Sequence, residues 1–166
     1  MGTMTWGRLG GMASAAMLAI ALGGPALAQG GHDHGTGEPQ RLQLDHGRKW
    51  ATDAALRDGM SRLRALLAPR LDEAHAGRLD APAYARLAEA TEAEVARIVA
   101  ECKLSAQADA MLHLVIADLG AGADIMAGRG PQGTPPEAGL VRAVQAVNGY
   151  ARHFAHPGFK VIPLHH

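Results

Sequence analysis

The chain has 166 residues, with 16 acidic and 16 basic side chains, nine histidines and a single cysteine. Balanced charge with no basic stripe argues against a nucleic-acid partner, and one cysteine rules out an internal disulfide. Aromatics make up only 4% of the chain while Ala and Leu are abundant, which suits close helix packing better than a β-sandwich.

The N-terminus reads as a secretory signal over residues 1–28. "MGTMTWGRLGG" carries Arg8 and no acid, the apolar stretch "MASAAMLAIAL" runs from Met12 to Leu22, and Ala26-Leu27-Ala28 offers a small-residue cleavage site. That apolar run is too short to span a bilayer, and no later segment is long enough either. The mature chain is therefore expected in the periplasm, not spanning the membrane, with about 138 residues forming one domain. Residues 29–47 form a flexible leader and arm. "QGGHDHGTGEPQ" is Gly-rich and polar and contains His32, Asp33 and His34; the arm continues through Leu42 and Leu44 toward Trp50, and these three side chains are expected to pack along the body.

Residues 48–160 show the 3/4 rhythm of helix seams. The first helix starts after Thr52 or Asp53, with Leu56, Met60, Leu63, Leu67, Leu71 and Ala74 on its seam and Gly77 at the C′ position. Pro69 is expected to kink it, or to split it near Ala68. The second helix takes Asp80 as its N-cap and Tyr84, Leu87, Thr91, Val95, Ile98 and Cys102 as its seam. Ser105 caps the third, whose seam runs through Ala108, Met111 or Leu112, Val115, Leu119, Gly122 and Met126. A Gly/Pro loop follows, and the fourth helix spans about Pro136 to His153 with Leu140, Val144, Val147, Ala151 and Phe154 inward. Residues 161–166 form a tail ending in His165 and His166. Short first and second connections point to an all-α, up-down-up-down four-helix bundle; a three-helix bundle with an extra short helix made by the Pro69 break is the alternative.

In that topology one end of the bundle collects soft and borderline metal donors. Met60 and Met111 lie roughly 10 Å below that end at 1.5 Å per residue, Cys102 and His153 close their helices there, and His113 and His156 lie close by. Thiolate and thioether suit Cu(I), and imidazole suits Cu or Zn. Each donor also has an ordinary reading. The methionines lie on seams where Met commonly fills gaps, and Cys102 on a seam is commonly a small buried hydrophobe. His113 leaves the seam and stands one turn after Asp109, which can orient its ring toward a metal or merely pair with it on the surface. His153 and His156 suit the negative end of a helix dipole. No CxxC, HExxH, GxSxG or phosphate loop is present, and no paired acid and base points to an enzyme.

Two resemblances accompany this reading. "GRKWATDAALRDGM", "ECKLSAQADAMLHLVIADLGAGADIMAG" and "VQAVNGYARHFAHPGF", covering about Arg48 to Phe159, resemble small exported proteobacterial proteins labelled DnrO-like, which implies a helical exported protein and no particular chemistry. "DAALRDGMSRL" resembles the first helix of cytochrome b562-type bundles, with Met60 at the axial methionine. "NGYARHF" resembles that family's fourth helix, but the seam position carries Ala151, and His153 lies about 200° around the helix from it. The expected function is an exported bundle that binds or handles a transition metal, copper foremost, through Cys102, His113, Met60, Met111, His153 and His156. The alternatives are a bundle whose end, around Trp50, Tyr150, Phe154 and His156, receives a small ligand or partner, and a b562-like haem protein.

Overall fold

Local capping chemistry decides where the helices begin. Asp53, Asp80 and Ser105 stand in extended backbone and accept the amides of Leu56, Ala83 and Ala108 at 2.8, 2.8 and 3.3 Å. They open α1 (Ala54–His75), α2 (Ala81–Glu101) and α3 (Ala106–Met126). α4 (Pro136–His153) starts without a side-chain cap, and Pro136 in its first turn supplies a pre-set φ instead. α1 and α3 end in the same way. Gly77 (φ +64) and Gly128 (φ +75) take the left-handed conformation. The following amides, of Arg78 and Arg129, then close back onto Glu73 and Asp124. The computed structural model describes residues 41–164; residues 1–28, read above as a secretory signal, His32 and His34, and His165 and His166 lie outside the described residues.

The protein is an all-α four-helix fold. α1 packs on α2 and α4, and α3 packs on α2 and α4. Ile98 of α2 fits over Gly59 of α1, where an added Cβ would fall 2.4 Å from Ile98 Cγ1. One turn along, Arg62 donates to Glu94 from Nε at 2.9 Å and Nη2 at 2.8 Å. α3 and α4 approach closest, at Gly122 and Gly139, each of whose missing Cβ would meet the other's carbonyl oxygen at 2.7 and 2.5 Å. The core between the helices is filled by Leu56, Met60, Leu63 and Leu67 of α1, Leu119 of α3, and Leu140, Val144 and Tyr150 of α4, all fully buried. Among the described residues no helix is long and apolar enough to cross a membrane.

Several expectations change. α1 runs unbroken through Pro69. The split near Ala68 is therefore absent, and Pro69 is exposed, so the carbonyl it leaves without an amide partner can be met by water. On α2 Val95 is only half-buried and Glu94 is inside, because Arg62 accompanies its carboxylate. On α3 the seam passes through Leu112, with Met111 half-buried beside it. In the arm Leu42 and Trp50 pack against the body but Leu44 is exposed. The cause is a tight turn at Asp45–Arg48, whose two backbone hydrogen bonds are both 2.8 Å and whose central residues, His46 and Gly47, both have positive φ. That two-residue turn reverses the chain and lifts Leu44 off the surface.

Beyond α4 the chain does not leave the body. Trp50 donates its amide to His153, and Ala155 donates to Trp50, both at 2.8 Å, so the arm and the end of α4 form one strap. A Pro157-Gly158 turn follows. Gly158 (φ +78) sits where a type II turn needs a left-handed residue, and Phe159 N closes on His156 O at 3.1 Å. The tail then runs back over α1 and α4 and buries Ile162.

Candidate functional site

The six side chains expected to bind metal occupy different surroundings. Met60 is sealed in the apolar core at 0% exposure. Met111 is half-buried against the same core. Cys102 is half-buried at the C-terminal cap of α2, its amide bonded to Ile98 O at 2.9 Å. Burial, and then the nearby charges of Asp53 and Asp109, push its thiol pKa up, which disfavours the thiolate that a soft metal needs. His113 has a 62% exposed side chain and places Nδ1 2.9 Å from the Asp109 carbonyl and 3.4 Å from its carboxylate. His153 places Nδ1 2.8 Å from Gly149 O and lines the α3–α4 groove beside Leu42 and Leu114. His156 turns to Tyr150 and faces α1. Among the described residues no three His, Cys, Asp or Glu side chains gather as a metal centre requires. Met60, matched above to an axial methionine, lies in the core, whereas His153, off the fourth-helix seam, lines the α3–α4 groove. The aromatic mouth is likewise filled, since Tyr150 and Phe154 are fully buried and stack at 5.1 Å.

A different concavity carries convergent polar groups. It is a notch of about 390 Å³ between the middle of α1 and the turn after α4. α1 contributes Ser61 and Arg64, and the tail contributes His156, Phe159 and Lys160. The tail is held in place by three contacts. Arg64 Nε donates to Lys160 O at 2.7 Å. The buried Asn148 amide of α4 grips both backbone groups of Ile162, donating to its carbonyl at 2.8 Å and accepting its amide at 2.7 Å. Phe159 stands edge-on to Tyr150 at 5.3 Å and against His156 at 4.6 Å.

The protonation pattern beneath the notch is set by burial. Burial strongly raises the Tyr150 phenol pKa, only partly offset by Arg57, so the phenol keeps its proton. Burial also lowers the His156 pKa, with Arg57 adding to the effect and Asp58 opposing it, which favours the neutral ring. The two groups meet at 3.0 Å between the phenol oxygen and Nδ1. The assignment that gives the buried phenolic proton a partner has Tyr150 donating to Nδ1. The ring proton then sits on Nε2, which is the one hydrogen-bond donor of the neutral His156 ring.

A larger groove lies on the other flank of α4. Two hollows of about 670 and 460 Å³ share Asp118, Gln145 and Ala146, and Leu42 of the arm lies at one end. Its charges are of both signs: Arg142 donates to Asp118 at 2.8 Å inside it, and Glu137 lines its far end. The smaller notch instead has three basic side chains and a hydroxyl, with no acid among its lining residues.

None of Ser61, Arg64 or Lys160 stands out in the sequence as a binding residue. The available signal was the polar stripe Arg57, Ser61, Arg64, at i, i+4 and i+7, flanking the apolar seam of α1. Comparison with protein-family models, with curated proteins and with solved structures returns no match.

Proposed function

We propose that this chain is an exported, non-catalytic binding protein that takes a small ligand in the notch between α1 and the C-terminal tail. The observation that carries this reading is the convergence of Arg64, His156, Lys160 and Ser61 on one concavity whose tail wall is clamped by Asn148. A prebuilt wall lowers the ordering cost of binding. Export rests on the signal-like residues 1–28, and the absence of a paired acid and base near the notch favours binding over turnover. The test is amide chemical-shift mapping of the mature protein with inorganic phosphate, benzoate and benzyl alcohol as probes. This reading expects shifts from at least one probe to concentrate at Ser61, Arg64 and residues 156–160. Shifts confined to the α3–α4 groove would contradict it.

A second reading, transition-metal binding with copper foremost, keeps one supporting observation. At His113 the Nδ1 atom faces the Asp109 carbonyl, which holds the ring proton there and leaves Nε2 free in the solvent. A single surface imidazole is a weak site, so this reading expects shallow Cu(II) titration abolished by His113→Ala. Copper binding unaltered in that variant would move the metal elsewhere.

A further inference from the structure

We infer that the notch is an oxyanion site, taking the phosphate or carboxylate group of a small organic molecule. This inference rests on the ligand-binding reading above and names the chemistry of its ligand. Arg64 spends its Nε hydrogen on the Lys160 carbonyl, which fixes the plane of the guanidinium. Its terminal amino groups make no hydrogen bond or ion pair among the described residues, and neither does the Lys160 ammonium. Both basic residues therefore line the notch with side-chain donors unused among the described residues. Ser61 lies three residues before Arg64, on the same side of α1, and adds a hydroxyl. Nε2–H of His156 is a further donor, since Nδ1 is taken by Tyr150.

An arrangement of four donors, two of them permanently cationic, complements an acceptor-only group with several oxygens. A metal cation is the wrong partner for it, because Arg and Lys offer no lone pair. The neighbouring charges give the same result. Among the described residues no carboxylate lines the notch, and Asp58, the acid that acts on His156, is opposed there by Arg57. Arg57 itself is committed to Thr52, donating to its carbonyl at 2.8 Å and its hydroxyl at 3.1 Å, and so backs the site without entering it. The volume of about 390 Å³ exceeds what a bare oxyanion fills and lies within the range of small-molecule sites. The half-buried Phe159 ring supplies an apolar wall for the rest of the molecule.

The test is calorimetric titration and amide-shift mapping of the mature chain with inorganic phosphate, benzoate and benzyl alcohol. Wild type is compared with Arg64→Gln and Lys160→Gln. The second variant keeps the Lys160 carbonyl that Arg64 holds, so the tail stays seated, and a melting curve checks this. The expected result is phosphate or benzoate shifting Ser61, Arg64, Gly158 and Lys160, with affinity cut about tenfold in each variant, the size of one charge-assisted hydrogen bond. Phosphate alone assigns a phosphorylated ligand, and benzoate alone assigns a carboxylate. Anion affinity unchanged in both variants would overturn the inference. Benzyl alcohol reaching the notch while both anions fail would overturn it and leave the ligand-binding reading standing. No probe at the notch would overturn both.

Discussion

Replacing Asn148 with Ala removes the clamp that holds the tail, and the structure sets the size of the effect. Asn148 is 5% exposed and Ile162 3% exposed, so neither partner of the two hydrogen bonds has water in reserve. If the tail stayed seated, the amide and carbonyl of Ile162 would be buried without partners, at about 1–3 kcal/mol each. If the tail lifts, those groups find water, but the protein loses the burial of Ile162, about 1.5–3 kcal/mol. The chain takes the cheaper route, so the loss is about 1.5–3 kcal/mol and its mode is local release of the tail. Urea unfolding gives the magnitude. Hydrogen exchange at the Ile162 amide gives the mode, because release exposes that amide without global unfolding. A loss under about 0.5 kcal/mol with Ile162 still protected would refute the reasoning, since surface-like changes fall in that range.

Other outcomes follow from the same contacts. Gly139→Ala places a methyl 2.5 Å from Gly122 O and 2.7 Å from Met126 N, both backbone atoms that cannot step aside, so α3 and α4 must separate. A stability loss of about 2–3 kcal/mol is expected by chemical denaturation, whereas Gly149→Ala, facing only Leu42 Cδ2 at 3.4 Å, should cost far less. Met60→Ala leaves a cavity in a fully buried position and should lose about 2–5 kcal/mol, with no change in anion binding at the notch. The folded-state His156 pKa is below its ordinary value of about 6.5, so below that pH the unfolded chain binds the proton first and stability falls as pH drops. His156→Gln should flatten that segment of a stability–pH profile; an unchanged profile would assign the slope to other groups. Cys102 should alkylate more slowly than free cysteine near pH 8, and Asp109→Asn should quicken it by removing one of the charges that raise the thiol pKa.

Much of the fold was legible because local rules carried it. Asp53, Asp80, Ser105 and Gly77 act within three or four residues of chain, so their capping roles are written in the sequence around them. No split occurs at Pro69, where the freed carbonyl can meet water, and exposure is a tertiary property. Glu94 is absent from the seam read in the sequence yet is buried, because Arg62, 32 residues away, accompanies its carboxylate.

The candidate metal site shows a different limit. The up-down-up-down reading assigns Cys102, Met111, His113 and His153 a level along the bundle, but no angle around it. Donors at one height can still face the core, the groove and the solvent. The notch was hidden for a simpler reason. Arg64 and Lys160 are 96 residues apart, and they meet where the tail, held by Asn148, runs back over α1. No periodicity announces a contact made by a turn and a clamp.

The central claim is tested most directly by a crystal structure of the mature protein soaked with inorganic phosphate or benzoate. The account predicts density for the oxyanion in the notch, within hydrogen-bond reach of the Arg64 guanidinium and the Lys160 ammonium, with His156 Nε2 turned toward it. Density only beside Arg142 in the α3–α4 groove, or an empty notch at concentrations that saturate binding in solution, would contradict it.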